Sequence, residues 1–133
     1  VEKLATISKN RNIPFITYST DYVFSGNATS PYLTDTQLAP VNYYGQTKAE
    51  GEQMAIAANP NTIIIRTSWV FSSHGNNFVK TMMRLMKDRD ALNIVGDQKG
   101  RPTFAKDLAL DEIRSANIEM AERWLRDDWK ENP

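Results

Sequence analysis

Apolar positions along the chain alternate between two periods. Val1, Leu4, Ala5 and Ile7 are spaced as on the closing turns of a helix, whereas Ile13-Pro-Phe-Ile-Thr-Tyr18 reads as a buried strand entered through a proline at its edge. Residues 19–42 break the pattern, rich in Ser, Thr, Asn, Pro and Gly. A loop of that length inside a compact domain is more often functional than idle. Asn42 can accept from an unpaired amide of a first helical turn, so the spacing predicts a helix from Asn42 to about Ala58, stopped by Asn59-Pro60-Asn61. Thr62 to Thr67 predicts a second strand, whose three consecutive isoleucines suit cover on both faces. Phe78, Met82, Leu85 and Met86 fall at i, i+4, i+7 and i+8, which predicts a helix from about Asn77 to Asp88 with a core-facing stripe. Leu92 to Val95 predicts a third short strand. Beyond the loop from Gly96 to Thr103, Ala109, Ile113, Ala116, Met120 and Trp124 keep helical spacing.

Helix and strand in alternation predict an α/β layered fold with a largely parallel sheet of about three strands. Ligands of such sheets bind beyond the carboxyl ends of the strands. The chemistry is therefore sought in YSTDYVFSG, RTSWVFSSHG and VGDQKGRPT.

Composition narrows the classes. A chain of 133 residues, 41% hydrophobic and 24% charged, is one globular domain or a piece of one. Its 16 basic and 16 acidic residues cancel, so no surface for nucleic acid is implied. The absence of cysteine excludes disulfides and zinc-thiolate sites and fits a reducing compartment, with the cytoplasm as the default location. No apolar run approaches the roughly 20 residues that span a bilayer, so no membrane is expected. No cluster has metal-ligand spacing, and the sole histidine, His74, lies in a turn and reads as a surface residue. Val1 opens on a helical pattern without an initiator methionine, so sequence is expected upstream.

The stretch NYYGQTKAEGE, residues 42–52, carries the sharpest candidate chemistry. Residues four apart share a helical face, so the Tyr44 hydroxyl and the Lys48 ammonium can meet, while Tyr43 points elsewhere as packing or loop support. An ammonium nearby favours the phenolate, and a tuned phenol can serve as a general acid. Thr20 and Asp21 fall at the end of the first strand, where a hydroxyl could bond a substrate oxygen beside Tyr44. The alternative for Ser19, Thr20 and Asp21 is that they satisfy backbone groups of a turn.

YSTDYVFSG, then PVNYYGQTKAEGE, IIIRTSWVFSSHGNNFVKTM and VGDQKGRPTFAKDLA, in that order, resemble the bacterial dTDP-4-dehydrorhamnose reductases of the extended short-chain dehydrogenase/reductase group. The resemblance covers Val1 to about Ala109. It implies a partial Rossmann-type domain over residues 1–110, followed by a helical tail over 111–133 that leaves the family pattern. It further implies NADPH- or NADH-dependent reduction of the C4 ketone of dTDP-4-dehydro-β-L-rhamnose to dTDP-L-rhamnose, a step in nucleotide-sugar biosynthesis for surface polysaccharide. By motif, Tyr44 would be the proton donor, Lys48 would hold the nicotinamide ribose hydroxyls, and Thr20 would complete the triad on the substrate oxygen. Asp21 and Trp69 would contact the dTDP-sugar, Arg66 would be a strand-end structural or phosphate-facing residue, and a homodimer is allowed. The glycines at 26, 45, 51, 75, 96 and 100 do not form a dinucleotide-binding fingerprint, and the family's glycine-rich turn would precede Val1. The chain alone is accordingly expected to be a weak or inactive reductase. A non-catalytic nucleotide-binding or regulatory homologue and an inactive gene fragment are the alternatives.

Overall fold

The computed structural model describes residues 1–110 except Asp97 and Lys99. The helical tail over 111–133, with the spacing read from Ile113 to Trp124, lies outside the described residues. The chain divides into two units, Val1–Thr67 and Ser68 onward.

The first unit runs α1 (Glu2–Asn10), β1 (Phe15–Thr20), a short 3₁₀ turn (Asp21–Val23), a loop, α2 (Tyr43–Ala58) and β2 (Thr62–Thr67). β1 and β2 pair in parallel from Phe15↔Thr62 to Thr20↔Thr67, so the loop and α2 together form the crossover that parallel strands require. β1 sits two residues later than the apolar run suggests. The Ile13 amide still closes the end of α1 by donating to the Ser8 carbonyl, and Asn12 takes a left-handed φ of 51° there, so the ladder starts only at Phe15. Ser19 and Thr20 are consequently ladder residues themselves, both buried.

Local signals set α2 well. The Asn42 side chain accepts from the Gly45 amide at 2.7 Å, as the cap predicts, and the helix ends at Ala58 before Asn59-Pro60. α1 packs on α2, with Ala5 and Ser8 buried on the first helix and Ala55 on the second. Val23, Phe24 and Ala49 form a second buried cluster, with Tyr32 and Leu38 packed against it. The isoleucines of β2 are half-buried, short of the cover on both faces that their run suggests. In a two-stranded sheet each strand has one edge without a ladder partner, so its side chains keep less cover than in a sheet interior.

The second unit holds β3 (Val70–Phe71), α3 (Phe78–Asp88) and β4 (Thr103–Phe104), with helical backbone again over 105–110. β3 and β4 pair in parallel, Val70↔Thr103 and Phe71↔Phe104. Asn77 caps α3 by accepting from the Lys80 amide at 3.1 Å. Two expectations fail in this unit. Leu92 to Val95 is not a strand: a β-segment needs a ladder partner, none of the described strands offers one, and Ile94 and Val95 stay exposed. The α3 stripe is not core either, since Phe78 and Met86 are more than half exposed and no residue of the helix is buried.

Candidate functional site

The carboxyl end of β1 gathers the predicted polar residues of the first unit. Thr20 donates from Oγ1 to Asp21 Oδ1 at 3.1 Å and accepts the Tyr22 amide at 3.3 Å. Its hydroxyl therefore caps the 3₁₀ turn, as the turn-satisfying alternative foresaw, and remains at the strand end. The turn fixes Tyr22, whose ring meets Tyr44 edge-on at 6.0 Å and 74°.

α2 is docked on that turn through its backbone. Gly45 has no Cβ, and one built there would lie 2.1 Å from the Tyr22 carbonyl oxygen. Only glycine permits this approach. The first turn of the helix thereby carries Tyr44 beside Tyr22, with its phenol 55% exposed and open to solvent. One turn on, the Lys48 ammonium donates to the Tyr18 carbonyl at 2.7 Å. The geometry thus delivers Lys48 to β1, and among the described hydrogen bonds none joins Lys48 to Tyr44 directly. Tyr43 is 80% exposed, so it is not a packing residue.

A further turn along the same face stands Glu52, 3% exposed, facing Arg66 of β2. Arg66 donates from Nε to Glu52 Oε1 at 3.0 Å and from Nη2 to Oε2 at 2.6 Å, a bidentate pair. Burial pushes the Glu52 carboxyl up. The Arg66 hydrogen bonds, aided by Ser19 and by the charges of Arg66 and Lys48, outweigh that and leave it below the usual carboxylate range. The same pairing raises Arg66. The Ser19 hydroxyl is buried without a hydrogen-bond partner of standard geometry, yet it lies close enough to the carboxylate to favour its charge. Arg66 thus takes the structural one of the two roles expected of it, as the partner of Glu52. Its partner escaped sequence reading, although Tyr44, Lys48 and Glu52 at i, i+4 and i+8 share one face.

In the second unit Trp69 adopts φ 47°, a left-handed conformation that a bulky residue enters only under constraint. Its carbonyl accepts the Thr103 amide at 3.2 Å, and its indole lies across Gly100, where a Cβ would sit 2.5 Å from the ring. At 41% exposure the indole is no core residue. It lines a cavity of about 290 Å³ with Phe71, Phe78, Ile94, Val95 and Pro102, and Gln98 adds the polar group. Ser68 Oγ donates to the Arg101 carbonyl at 2.8 Å and accepts the Arg101 amide at 3.2 Å, which holds the cavity's loop beside Trp69. Thr103 Oγ1 donates to the Ser68 carbonyl at 2.9 Å. His74 is exposed in its turn.

The RmlD substrate binding domain family matches residues 1–127. The chain belongs to this family. A dTDP-4-dehydrorhamnose reductase of Aggregatibacter actinomycetemcomitans is 44% identical over 123 residues, covering 92% of this chain and 40% of the relative. One from Sinorhizobium fredii is 46% identical over 110 residues, 83% of this chain and 37% of the relative. The crystal structure of a dTDP-4-dehydrorhamnose reductase from Bacillus anthracis in complex with NADP matches with a TM-score of 0.82 at 38% identity, covering 87% of this chain and 41% of that one. The chain thus spans about 40% of the length of these relatives. Among the described residues no helix is long and apolar enough to cross a membrane, and no group of acidic or histidine side chains is arranged to hold a metal ion.

Proposed function

We propose that this chain carries the proton-donating part of an NADPH- or NADH-dependent reductase that converts the C4 ketone of dTDP-4-dehydro-β-L-rhamnose to the alcohol of dTDP-L-rhamnose. One observation carries the reading. Thr20, Lys48 and Tyr44 are held around the carboxyl end of β1 by the 3₁₀ turn and the Gly45 contact, in a chain 44% identical to a named reductase.

Each residue has a role that its surroundings support. Tyr44, solvent-open on the first turn of α2, gives its proton to the C4 oxygen as the ketone is reduced. Thr20 bonds that oxygen, and Asp21 contacts the sugar. Lys48, stapled to Tyr18 with further N–H donors to offer, holds the ribose hydroxyls of the nicotinamide nucleotide. Trp69 offers its indole to the sugar nucleotide. When bound, the nicotinamide would supply the hydride for C4, which with the Tyr44 proton would balance the two-electron reduction of ketone to alcohol.

The described residues fit the ribose end of the cofactor but supply no phosphate cradle. The turn between β3 and α3 contains Gly75 and opens a helix, yet its Ser73 and Gly75 carbonyls close on the Lys80 ammonium at 3.0 and 2.8 Å. Such a turn presents acceptors, and a pyrophosphate needs donors. No step is assigned to it.

The dTDP-sugar is the proposed small-molecule partner, the cytoplasm the proposed compartment, and a homodimer the proposed assembly. The deciding experiment mixes a full-length protein containing this sequence with NADPH and the dTDP-4-keto sugar and follows nicotinamide oxidation. Oxidation that Tyr44→Phe abolishes supports the reading. A wild-type protein that leaves NADPH untouched, or a Tyr44→Phe variant of unchanged rate, sinks it.

A further inference from the structure

The loop that joins β1 to α2 separates the two ends of the proposed site, Thr20 before it and Tyr44 after it. A guanidinium outside the loop collects it. Arg66 Nη1 donates to the Thr34 carbonyl at 3.2 Å, and the guanidinium carbon lies 5.0 Å from the centroid of the Phe24 ring. Phe24 is in turn stacked on Tyr32, at 4.3 Å with 3° between the planes. The Tyr32 hydroxyl accepts the Ala28 amide at 3.2 Å, and the Ala39 amide donates to the Val23 carbonyl at 2.9 Å. Start, middle and end of the loop are thus tied through the Arg66–Phe24–Tyr32 stack and its hydrogen bonds. The other face of the guanidinium fork is committed to Glu52 of α2.

Arg66 therefore joins β2, α2 and the loop at one point. The planar fork is what makes this possible, because it can pair with a carboxylate, donate to a carbonyl and lie over an aromatic face at once. A lysine could meet Glu52 but not all three partners. Glu52 is buried with both carboxylate oxygens on Arg66, so it is closed to a substrate.

We propose that Arg66, paired with Glu52, is the positioning centre of the site: it holds the 21–42 loop against α2 and β2 and so fixes Thr20 relative to Tyr44. This rests on the reductase reading only for its kinetic consequence. Two groups that must share one substrate oxygen lose rate steeply when displaced, about 100-fold for a shift of about 1 Å. The loss falls more on turnover than on binding, since the Thr20–Tyr44 registry serves the reacting oxygen.

The test compares wild type, Arg66→Lys and Phe24→Leu in the full-length protein, by amide hydrogen exchange and by steady-state kinetics. Arg66→Lys keeps a cation for Glu52, and Phe24→Leu keeps the whole ion pair while removing the stack. Exchange at Ala28 and Ala39 is expected to rise about tenfold or more in both, with kcat down about 10- to 100-fold and KM for the sugar nucleotide within about threefold. Unchanged exchange in both variants overturns the proposal, and so does raised exchange with unchanged kcat. Should Arg66→Lys not fold, Phe24→Leu decides alone by the same criteria. If the wild-type protein does not oxidise NADPH, the reductase reading falls, and the exchange measurement still decides whether Arg66 holds the loop.

Discussion

The Lys48 ammonium donates to the Tyr18 carbonyl at 2.7 Å, stapling α2 to the strand that ends in Thr20. This bond gives Lys48 a structural duty beside its proposed catalytic one, and the two are separable by size. Lys48→Met is expected to lower stability by about 1 kcal/mol, the worth of one such bond. The reductase rate is expected to fall about 100-fold or more. Urea unfolding and NADPH oxidation measure the two, and a rate that merely tracks the small stability loss would leave Lys48 as a staple alone.

Tyr44 gives the opposite signature. Its phenol is exposed and its ring contact with Tyr22 survives in phenylalanine. Tyr44→Phe is expected to change stability by less than about 0.5 kcal/mol, while turnover drops by about 10²- to 10⁴-fold.

Gly45→Ala inverts the usual rule for helices. Alanine would ordinarily add about 1 kcal/mol at a helical glycine. Here its methyl would meet the Tyr22 carbonyl oxygen 2.1 Å away, a backbone atom that no side-chain rotation can move aside. A net loss of about 1–3 kcal/mol is expected by urea unfolding, and a stabilised variant would show that α2 can slide on the 3₁₀ turn.

Acid should loosen the first unit through Glu52. Its folded pKa is depressed, so its stabilisation is complete above the unfolded-chain value of about 4.3 and drains away as pH falls through the lower folded value. Glu52→Gln should flatten that part of the stability-versus-pH curve and weaken the fold at neutral pH, by up to about 3 kcal/mol as expected for half of a buried pair. A Gln variant with the wild-type acid profile would assign the titration elsewhere.

Gly100→Ala should move Trp69, whose indole fills the space a Cβ would take. In a background where Trp69 is the sole tryptophan, the emission maximum is expected to shift. KM for the sugar nucleotide should rise more than kcat falls if Trp69 grips the nucleotide. An unshifted emission would show that the loop yields instead.

What could be read from the sequence was local. Asn42 announced the start of α2 because a cap needs only the amide three residues on, the apolar stripe from Phe78 to Met86 located α3, and Thr62 to Thr67 was bounded correctly by its own run of β-branched residues. What could not be read depended on distant partners. β1 ends at Thr20 because Thr67 is there to pair with it, and Leu92 to Val95 has the composition of a strand but no ladder partner among the described strands. The site divides in the same way. Tyr44, Lys48, Thr20 and Asp21 stand in short motifs, whereas Lys48–Tyr18 and Arg66–Glu52 link residues 30 and 14 positions apart. Spacing along a helix could still have flagged Glu52, one turn past Lys48.

The parallel register also sets an order of events in time. Phe15 pairs with Thr62, so the first rung of the sheet closes a long stretch of chain, at an entropic cost of about 3 kcal/mol in the logarithmic term alone. α2 lies wholly inside that stretch and needs only neighbouring residues to form. In refolding, helicity around Tyr44 and Lys48 should therefore rise before the β1–β2 ladder brings Thr20 to them, which pulse-labelled exchange would resolve. The proposed triad would then be among the late products of folding, complete only when the slowest contact in the unit has been made.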